Sequence, residues 1–154
     1  MQQNETNPAS GEAEPHGLGM MRAMIAGVGA PPSMAKTMNF TLDEVGAGKA
    51  VFSGTPTEDH YNPAGVIHGG WAATILDSAL GCAVQTTMAE GEAYTTVEFK
   101  VNLVRPMTHE TGRLICTGTI LSRGRRIATS EAQLVDENDR LVAFGTETCI
   151  IFSA

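Results

Sequence analysis

Residues 62–89 read NPAGVIHGGWAATILDSALGCAVQTTMA, and this stretch decides the fold. The only acidic or basic side chain between residues 69 and 89 is Asp77. A segment that is apolar on all its faces predicts a long helix enclosed by other structure, rather than one lying on a surface. Pro63 and Gly65 place a loop before it. The helix is therefore expected over residues 69–89, directly after His68.

The start and the middle of this helix differ in chemistry. Backbone N–H groups without intrahelical partners gather at His68-Gly69-Gly70, and that end of a helix favours negative charge. Eight residues later, Asp77 carries a carboxylate among apolar neighbours. A buried carboxylate is costly unless it has a partner or a chemical task.

Patterns before and after the helix predict six strands. The segments alternate between apolar and polar residues, or are rich in β-branched and aromatic residues, and short turns bound them. They cover residues 38–44, 50–54, 94–104, 112–122, 126–135 and 141–152.

This order of elements predicts an α+β fold. Strands joined by turns of two to five residues build an antiparallel sheet. A single helix that is apolar all round must be wrapped by that sheet, and its remaining exposed face requires a second copy of the protein. Residues 36–154 are expected to form this domain. Residues 1–35 are expected to form an N-terminal arm, partly disordered or with a short helix ended by Pro31-Pro32.

Composition narrows the class of protein. The 154 residues are 42% hydrophobic and 18% charged, which is typical of one globular domain. The net charge of -7 argues against nucleic-acid binding. Asp77 at the centre of residues 69–89 would cost about 3 kcal/mol in a membrane span. The three cysteines lack CxxC spacing and are expected to be small buried thiols in the cytoplasm.

Asp77 is the first candidate for chemistry. It shares a helix face with Ala73, Leu80, Gly81 and Val84, so desolvation should raise the pKa of its carboxyl. A carboxyl of that kind suits a general base or a nucleophile. Spacing alone leaves an alternative open, namely a structural carboxylate that backbone donors satisfy at a subunit contact.

The Gly69 N–H is the second candidate. It could stabilise a developing oxyanion, or the glycine pair could simply permit a tight turn and close packing. Gly69 and Asp77 lie about 12 Å apart along one helix, whereas a reacting carbonyl needs both groups within about 3–3.5 Å. Two antiparallel helices of a two-fold dimer can meet that requirement. An enzyme of this design is therefore a dimer with composite sites.

Positive charge is concentrated in one region. Six of the ten basic residues lie between Lys100 and Arg126, and the turn SRGRR at residues 122–126 could bind phosphates. A solvated turn is the alternative. Cys/His metal patterns are absent from the sequence, so no metal site is expected.

Two motifs resemble those of a known family. NPxGxxHGG at residues 62–70, followed by Asp77, resembles the hotdog-fold acyl-CoA thioesterases, and most closely the phenylacetate-pathway (PaaI-type) branch of the 4-hydroxybenzoyl-CoA thioesterase superfamily. TVEFKVNxxRP at residues 96–106 resembles the strand after the helix in that group. The likeness covers about residues 36–152. It implies a hotdog fold, in which a curved antiparallel sheet wraps one long helix.

The resemblance also implies roles for individual residues. Asp77 would activate water or attack the thioester, the Gly69 N–H would polarise its carbonyl, and Asn62 and His68 would line that half of the site. Thr96 would position the water. Simple alternation places Thr96 on the polar face of its strand, so either a local twist aims it at the site or Thr95 takes the role. The remaining candidates would bind the substrate and its coenzyme A: Arg123, Gly124, Arg125, Arg126, Ile127, Ala128, Thr129, Glu98 and Arg105.

The implied activity is hydrolysis of an acyl-CoA thioester by a homodimer that assembles further into a homotetramer. A thiolate leaves readily, so a base or nucleophile and an oxyanion donor suffice, and no cofactor is implied. Trp71 and the N-terminal arm are where acyl-chain selectivity could differ. A non-catalytic acyl-CoA-binding or regulatory protein is the main alternative. A hotdog hydratase would need an Asp/His pair at shorter spacing than His68 and Asp77 provide.

Overall fold

The computed structural model describes residues 14–154. The disorder expected at the start of the arm concerns positions 1–13, which lie outside the described residues. Its helices are α1 (His16–Ile25), α2 (Ser33–Thr37) and α3 (Gly69–Gln85). Its strands are β1 (Phe40–Gly46), β2 (Lys49–Gly54), β3 (Glu92–Leu103), β4 (Leu114–Arg123), β5 (Ile127–Val135) and β6 (Leu141–Ser153). Within residues 14–154, no helix is long and apolar enough to cross a membrane.

The strands form one six-stranded sheet in the order β1-β2-β4-β5-β6-β3, and every neighbouring pair is antiparallel. Helix α3 packs against five of the six strands, β2 to β6. The predicted α+β architecture, with one central helix wrapped by a curved antiparallel sheet, is confirmed.

The core lies between α3 and the inner face of the sheet. Gly118 of β4 allows the closest approach, because a Cβ there would lie 2.2 Å from the Ala79 carbonyl oxygen. The side chains that α3 buries are mostly aliphatic, and they account for most of its length: Trp71, Ala72, Ile75, Leu76, Ala79, Leu80, Ala83 and Val84.

Helix α3 begins where the sequence predicts, but ends four residues earlier than residue 89. Threonine hydroxyls explain the early end. Thr86 Oγ1 donates to the Ala83 carbonyl and Thr87 Oγ1 to the Val84 carbonyl, each at 2.7 Å. Such side-chain bonds compete with the helical backbone pattern.

The first strand also starts later than expected, at Phe40 instead of residue 38. The preceding residues form the short helix α2, and Asn39 then adopts φ 53°, outside the β region. The first two predicted strands leave residues 45–49 for the turn between them, but in the structure this turn covers only residues 47–48. Gly48, with φ 70°, forms it between β1 and β2.

The described part of the arm packs on the domain. In α1, Leu18 and Met21 are buried, and the Gly17 N–H donates to the Met88 carbonyl at 2.9 Å. Gly17 lies so close to the end of α3 that an added Cβ would be 1.9 Å from the Gln85 carbonyl oxygen. Helix α1 therefore docks beside the C-terminal end of α3.

Strands β1 and β3 form the two edges of the sheet. Strand β3 pairs with β6 on one side, and among the described residues no strand pairs with its other side. Several apolar side chains on or just after β3 are exposed: Val97, Phe99, Leu103 and Val104. An unpaired apolar edge of this kind is a surface that another strand can cover.

Candidate active site

Asp77 lies in the middle of α3 and is half-buried. It faces a groove of about 790 Å³ between α3, the first half of β3 and the N-terminal helices. The polar lining near Asp77 includes Ser78 and Thr96. The opposite wall is apolar and is contributed largely by α1, α2 and the segment between them: Met20, Met24, Ile25, Pro32 and Met34.

The Asp77 carboxyl is desolvated and unpaired. Among residues 14–154 no hydrogen-bond or ion-pair partner reaches it, and burial raises its pKa above the ordinary value of an aspartate. A carboxylate that is poorly solvated and not neutralised is a better proton acceptor than one at the surface. No donor among residues 14–154 of its own protomer therefore satisfies the Asp77 carboxylate.

Thr96, and not Thr95, faces this groove. Strand β3 contains a bulge between Thr96 and Glu98, which places Val97 outside the regular pairing with β6. A bulge shifts the alternation of side chains by one position. Thr95 is exposed, whereas Thr96 lines the groove with Asp77 and donates its hydroxyl to Glu147 Oε1 at 2.8 Å. The local twist that the sequence requires is this bulge.

Sequence reasoning missed Glu147. This residue of β6 is only 2% exposed, and its Oε1 accepts hydrogen bonds from Thr96 Oγ1 and Cys149 Sγ, both at 2.8 Å. Burial raises the pKa of Glu147, these two hydrogen bonds oppose the rise, and the charge of Asp77 adds to it. Alternation along β6 carries a signal, because Glu147 has the same parity as Ala143, Cys149 and Ile151, which all face the core.

The start of α3 offers one free donor. His68 is the N-cap residue, and its Nδ1 accepts the Gly70 N–H at 2.8 Å. The Trp71 N–H donates to the His68 carbonyl at 2.9 Å. Within residues 14–154 the Gly69 N–H has no acceptor, so the first helical residue keeps the donor that the sequence singles out. The helix dipole at this end favours negative charge.

Asn62 shapes the loop before α3. Its Oδ1 accepts the N–H groups of Ala64 at 2.9 Å and Val66 at 3.4 Å, which is an Asx turn. The carbonyl oxygen of its side chain is thus occupied by the backbone. The His68 side chain is exposed, but its Nδ1 is occupied by the N-cap bond. Both side chains hold the loop and the helix start in place.

One protomer does not bring the predicted oxyanion donor and the predicted base together. Gly69 and Asp77 lie on the same helix α3, eight residues and so about 12 Å apart along its axis. The Gly69 end lies against Leu103, whose Cδ1 would be 2.5 Å from a Cβ at Gly69. Asp77 shares its groove with Thr96, nearer the beginning of β3. Helix α3 therefore runs in the opposite direction to β3.

The three arginines of the turn between β4 and β5 fall into two groups. Arg123 forms an ion pair with Glu92, at the start of β3, and donates to the Gly124 carbonyl. Arg125 and Arg126 are exposed, and no acidic partner among residues 14–154 pairs with them. Arg125 and Arg126 are thus available for a ligand, while Arg123 is held in the structure.

The remaining candidates for substrate binding lie in different settings. Ile127 is exposed, Thr129 is half-buried, and Ala128 is fully buried in the core, so that its side chain is not available to a ligand. Glu98 and Arg105 are exposed, and neither lines the Asp77 groove. The Arg105 Nε donates to the Leu141 carbonyl at 3.0 Å.

Trp71, where the sequence analysis expects acyl selectivity to differ, does not line this groove. Trp71 is 1% exposed, and its indole N–H donates to the Met38 carbonyl at 2.7 Å. It packs under the first hairpin, near Phe40 and Gly54, because the first turn of α3 faces that part of the sheet. The N-terminal helices, by contrast, do line the groove.

Comparisons with known proteins agree with this geometry. The family model described as the thioesterase superfamily matches residues 64–143, which is more than half of the chain and includes Gly69, Asp77 and Thr96. The chain belongs to the thioesterase superfamily. Within that superfamily it is a hotdog-fold protein of the PaaI-like type.

Individual relatives are moderately similar. A phenylacetic acid degradation-related protein from Ralstonia eutropha, described as a candidate thioesterase, is 26% identical over 84% of this chain and 98% of its own, with a TM-score of 0.77. A variant of the phenylacetic acid degradation protein PaaI from Thermus thermophilus is 26% identical over 77% of this chain and 97% of its own, with a TM-score of 0.69. A Halobacterium salinarum protein, provisionally assigned as an esterase, is 31% identical over 56% of either chain. The match to this curated relative thus spans little more than half of its length.

Proposed function

We propose that this protein is an acyl-CoA thioesterase, which hydrolyses an acyl-CoA to the free acid and coenzyme A without a metal or cofactor. The observation that carries the proposal is the unpaired, desolvated carboxyl of Asp77, which faces an apolar groove together with Thr96. An apolar groove with a few polar groups at one end is typical of a site for an apolar substrate with one reactive centre.

The chemistry proceeds in two steps. In the first, a water oxygen bonds to the thioester carbonyl carbon as Asp77 takes one proton from that water, and the carbonyl oxygen becomes an oxyanion on the Gly69 N–H of the other protomer. In the second, the oxyanion collapses to a carbonyl and the C–S bond breaks, which releases the thiolate of coenzyme A. Asp77 then gives its proton to the thiolate or to solvent and is again a carboxylate. A thiol pKa of about 8.5 lets the thiolate leave without a general acid.

Asp77 could also attack the carbonyl carbon itself. The first product would then be a mixed anhydride with the Asp77 carboxyl, which water hydrolyses to regenerate the carboxylate. Single-turnover hydrolysis in ¹⁸O-labelled water separates direct hydrolysis from an anhydride that water opens at the Asp77 carboxyl carbon. Direct hydrolysis places the label in the first molecule of acid product, whereas that anhydride route places it in the Asp77 side chain and leaves the first product unlabelled.

The separation of Gly69 and Asp77 supports a homodimer, and so does the free edge of β3. Gly69 lies beside Leu103 at the end of β3, and Asp77 shares its groove with Thr96 in the first half of that strand. An antiparallel pairing of two β3 edges, centred between Thr96 and Leu103, would bring one protomer's Gly69 towards the other's Asp77. It would also cover the exposed apolar side chains of this edge. We propose that two such dimers pair into a homotetramer.

The substrate would lie along two surfaces. Arg125 and Arg126 are exposed cations in a protein of net charge -7, and they would bind the phosphates of coenzyme A. The acyl chain would lie in the groove, against the methionine-rich wall contributed by α1 and α2. Flexible thioether side chains adapt to irregular apolar ligands, so this wall suits an acyl group of variable shape.

Mixing two inactive variants tests the composite site. Asp77→Asn removes the base, and Gly69→Pro removes the N–H at the first helical position, where proline is tolerated. In a mixed dimer one of the two sites keeps an intact Asp77 and an intact Gly69. Equal amounts of the two variants, exchanged at random, should restore about one quarter of wild-type thiol release from acyl-CoA.

Differently tagged subunits show whether mixed dimers have formed. Mixed dimers without recovered activity would contradict a site shared between protomers. Saturable acyl-CoA binding by the wild type, with no turnover of short, medium, long or aryl acyl groups, would instead favour a non-catalytic binding protein.

A further inference from the structure

Glu147 is a buried carboxyl directly behind the groove. It extends from β6 to the inner face of the sheet, is 2% exposed, and meets α3 at Gly81, where an added Cβ would lie 3.7 Å from Glu147 Oε1. A buried carboxyl is expensive to maintain unless it is fully bonded or has a task. The proposed hydrolysis assigns no task to Glu147.

Its two oxygens are used differently. Oε1 accepts from Thr96 and Cys149, whereas Oε2 has no hydrogen-bond partner among the described residues. A second buried oxygen without a hydrogen-bond partner among the described residues is Ser130 Oγ. Ser130 lies beside Glu147, because the two residues pair across strands β5 and β6. Directly paired residues point to the same face of a sheet, about 5 Å apart at Cβ. Because Oε2 has no partner, hydrogen bonding of the whole carboxyl does not explain why a glutamate occupies this position. We therefore look for its role in the contact that Oε1 makes with Thr96.

That contact fixes the hydroxyl of Thr96. A threonine hydroxyl has one proton and two lone pairs, and its proton rotates to suit the surroundings. Because the proton is donated to Glu147 Oε1, the lone pairs of Thr96 Oγ1 remain for a donor in the groove. A hydrolytic water next to Asp77 must point one proton at the Asp77 carboxylate, and its second proton needs an acceptor.

We propose that Glu147 is a positioning residue that holds the Thr96 hydroxyl as an acceptor for the hydrolytic water. The water then donates one proton to Asp77 and one to Thr96, and its remaining lone pair is directed at the thioester carbonyl. This role rests on the proposed function, since it requires hydrolysis that depends on Asp77. Without Glu147, the Thr96 hydroxyl can turn and donate to the water, which misorients it.

Among residues 14–154, Asp77 is the charged group that acts on Glu147. The titratable or polar side chains that face it are Asp77 and Cys82 from α3, Tyr94 and Thr96 from β3, Ser130 from β5 and Cys149 from β6. Desolvation raises the pKa of Cys82 to about 12, and that of Cys149 to about 12, so both stay neutral at ordinary pH. The charge of Asp77 therefore adds to the burial that raises the pKa of Glu147, whereas burial is what raises the pKa of Asp77.

Substitutions at Glu147 separate a positioning role from a structural one. Glu147→Gln keeps an oxygen that can accept from Thr96, so kcat should stay within about twofold of wild type. The acidic limb of the pH–rate profile should stay in place, because burial raises the pKa of Asp77 in both proteins. Glu147→Leu removes the acceptor and should lower kcat about 10- to 100-fold, with little change in KM.

A double-variant cycle with Thr96 completes the test. Thr96→Val should lower kcat as much as Glu147→Leu does, and the two together should cost no more than Thr96→Val alone. Thr96→Ser keeps the hydroxyl, and Ser130→Ala removes a neighbouring buried oxygen without touching Thr96. Ser130→Ala is the matched control and should leave kcat unchanged, whereas Thr96→Ser should recover most of the kcat that Thr96→Val loses. Thermal melts report the folded fraction of each variant.

Each outcome decides one question. A folded wild type that hydrolyses no acyl-CoA, or an Asp77→Asn variant with full activity, overturns the proposed function and the role of Glu147 together. If hydrolysis depends on Asp77 but the folded Glu147→Leu variant keeps the wild-type kcat, the role of Glu147 alone is wrong. Additive losses in the cycle would also overturn it, because they show that Glu147 does not act through Thr96.

Discussion

The start and the middle of helix α3 use the same backbone for opposite electrostatic purposes. At the start, the Gly69 N–H is a free donor at the positive end of the helix dipole, and the exposed His68 occupies the neighbouring donor. In the middle, burial raises the pKa of the Asp77 carboxyl. Burial also raises the pKa of a second carboxyl, Glu147, which lies behind Asp77. One end stabilises negative charge, and the other keeps a basic oxygen poorly solvated.

This contrast shows why the two groups cannot serve each other within one chain. A donor that lay beside the Asp77 carboxylate in the same protomer would bind it, lower its pKa and weaken it as a base. Eight residues of helix keep them about 12 Å apart within one protomer. In the proposed dimer, this separation leaves the Gly69 donor and the Asp77 carboxylate unpaired until the second protomer and the substrate meet them.

The strongest test of the contrast removes the acid. Asp77→Asn keeps the shape of the side chain but loses the proton acceptor, so kcat/KM should fall by about 10³-fold. Ser78→Ala is the matched control, because Ser78 also lines the groove but donates its hydroxyl to the Thr74 carbonyl. Release of free thiol from an acyl-CoA measures both variants. A loss of similar size in Ser78→Ala would mean that the groove, and not the acid, carries the effect.

Stability should move in the opposite direction to activity in that variant. The folded-state pKa of Asp77 is raised, so the stability that its carboxyl contributes is fully present below its ordinary pKa of 3.8 and is lost as pH rises through the folded-state pKa. Asp77→Asn carries no charge at any pH. It should therefore melt at or above the wild-type temperature near pH 7, and the difference should vanish in acid.

The other end of the comparison is tested by removing only the donor. Gly69→Pro and Gly69→Ala both add a Cβ against the exposed Leu103 side chain, which has room to turn away, but only proline lacks the N–H. His68 has ψ 134°, which suits a residue before proline. Gly69→Pro should lower kcat about 10²-fold relative to Gly69→Ala. Equal rates for the two variants would assign the oxyanion to a different group.

A third part of α3, its C-terminal end, holds the wall of the groove. Gly17→Ala would place a Cβ 1.9 Å from the Gln85 carbonyl oxygen and should push α1 away, whereas Gly19→Ala on the same helix has room, with its nearest atom at 3.7 Å. We expect Gly17→Ala to lower kcat/KM about tenfold for long apolar acyl groups and little for acetyl-CoA. Gly19→Ala should match the wild type. An equal loss across chain lengths would show that α1 supports the fold without contacting the acyl group.

Much of this arrangement follows from the sequence by ordinary rules. The apolar stretch after His68 predicts a buried helix because no face of it is polar, and the alternating segments predict all six strands. Their ends shift by a few residues where side chains intervene, as when the hydroxyls of Thr86 and Thr87 end α3 at Gln85. Periodicity does not register such local hydrogen bonds.

The site was predictable only in part. The sequence singles out Asp77 and Gly69, but simple alternation cannot choose between Thr95 and Thr96, because the choice depends on a one-residue bulge. Glu147 is 70 residues from Asp77 in the chain and is the one charged residue of β6. Alternation along β6 groups it with core residues, but its contact with Thr96 becomes evident only when β6 is paired with β3.

The smallest expected effect comes from substitutions in the turn between β4 and β5, which lies outside α3. Arg125→Ala and Arg126→Ala should each raise KM for an acyl-CoA about threefold, with kcat unchanged, because each removes one exposed cation from the phosphates. Lys49→Ala, an exposed cation on another hairpin, is the charge-matched control and should leave KM unchanged.

A thioester of pantetheine without the nucleotide should be insensitive to both arginines, and added salt should reduce the difference for acyl-CoA. If the pantetheine thioester is affected equally, the arginines act on the fold or the acyl site and not on the nucleotide phosphates.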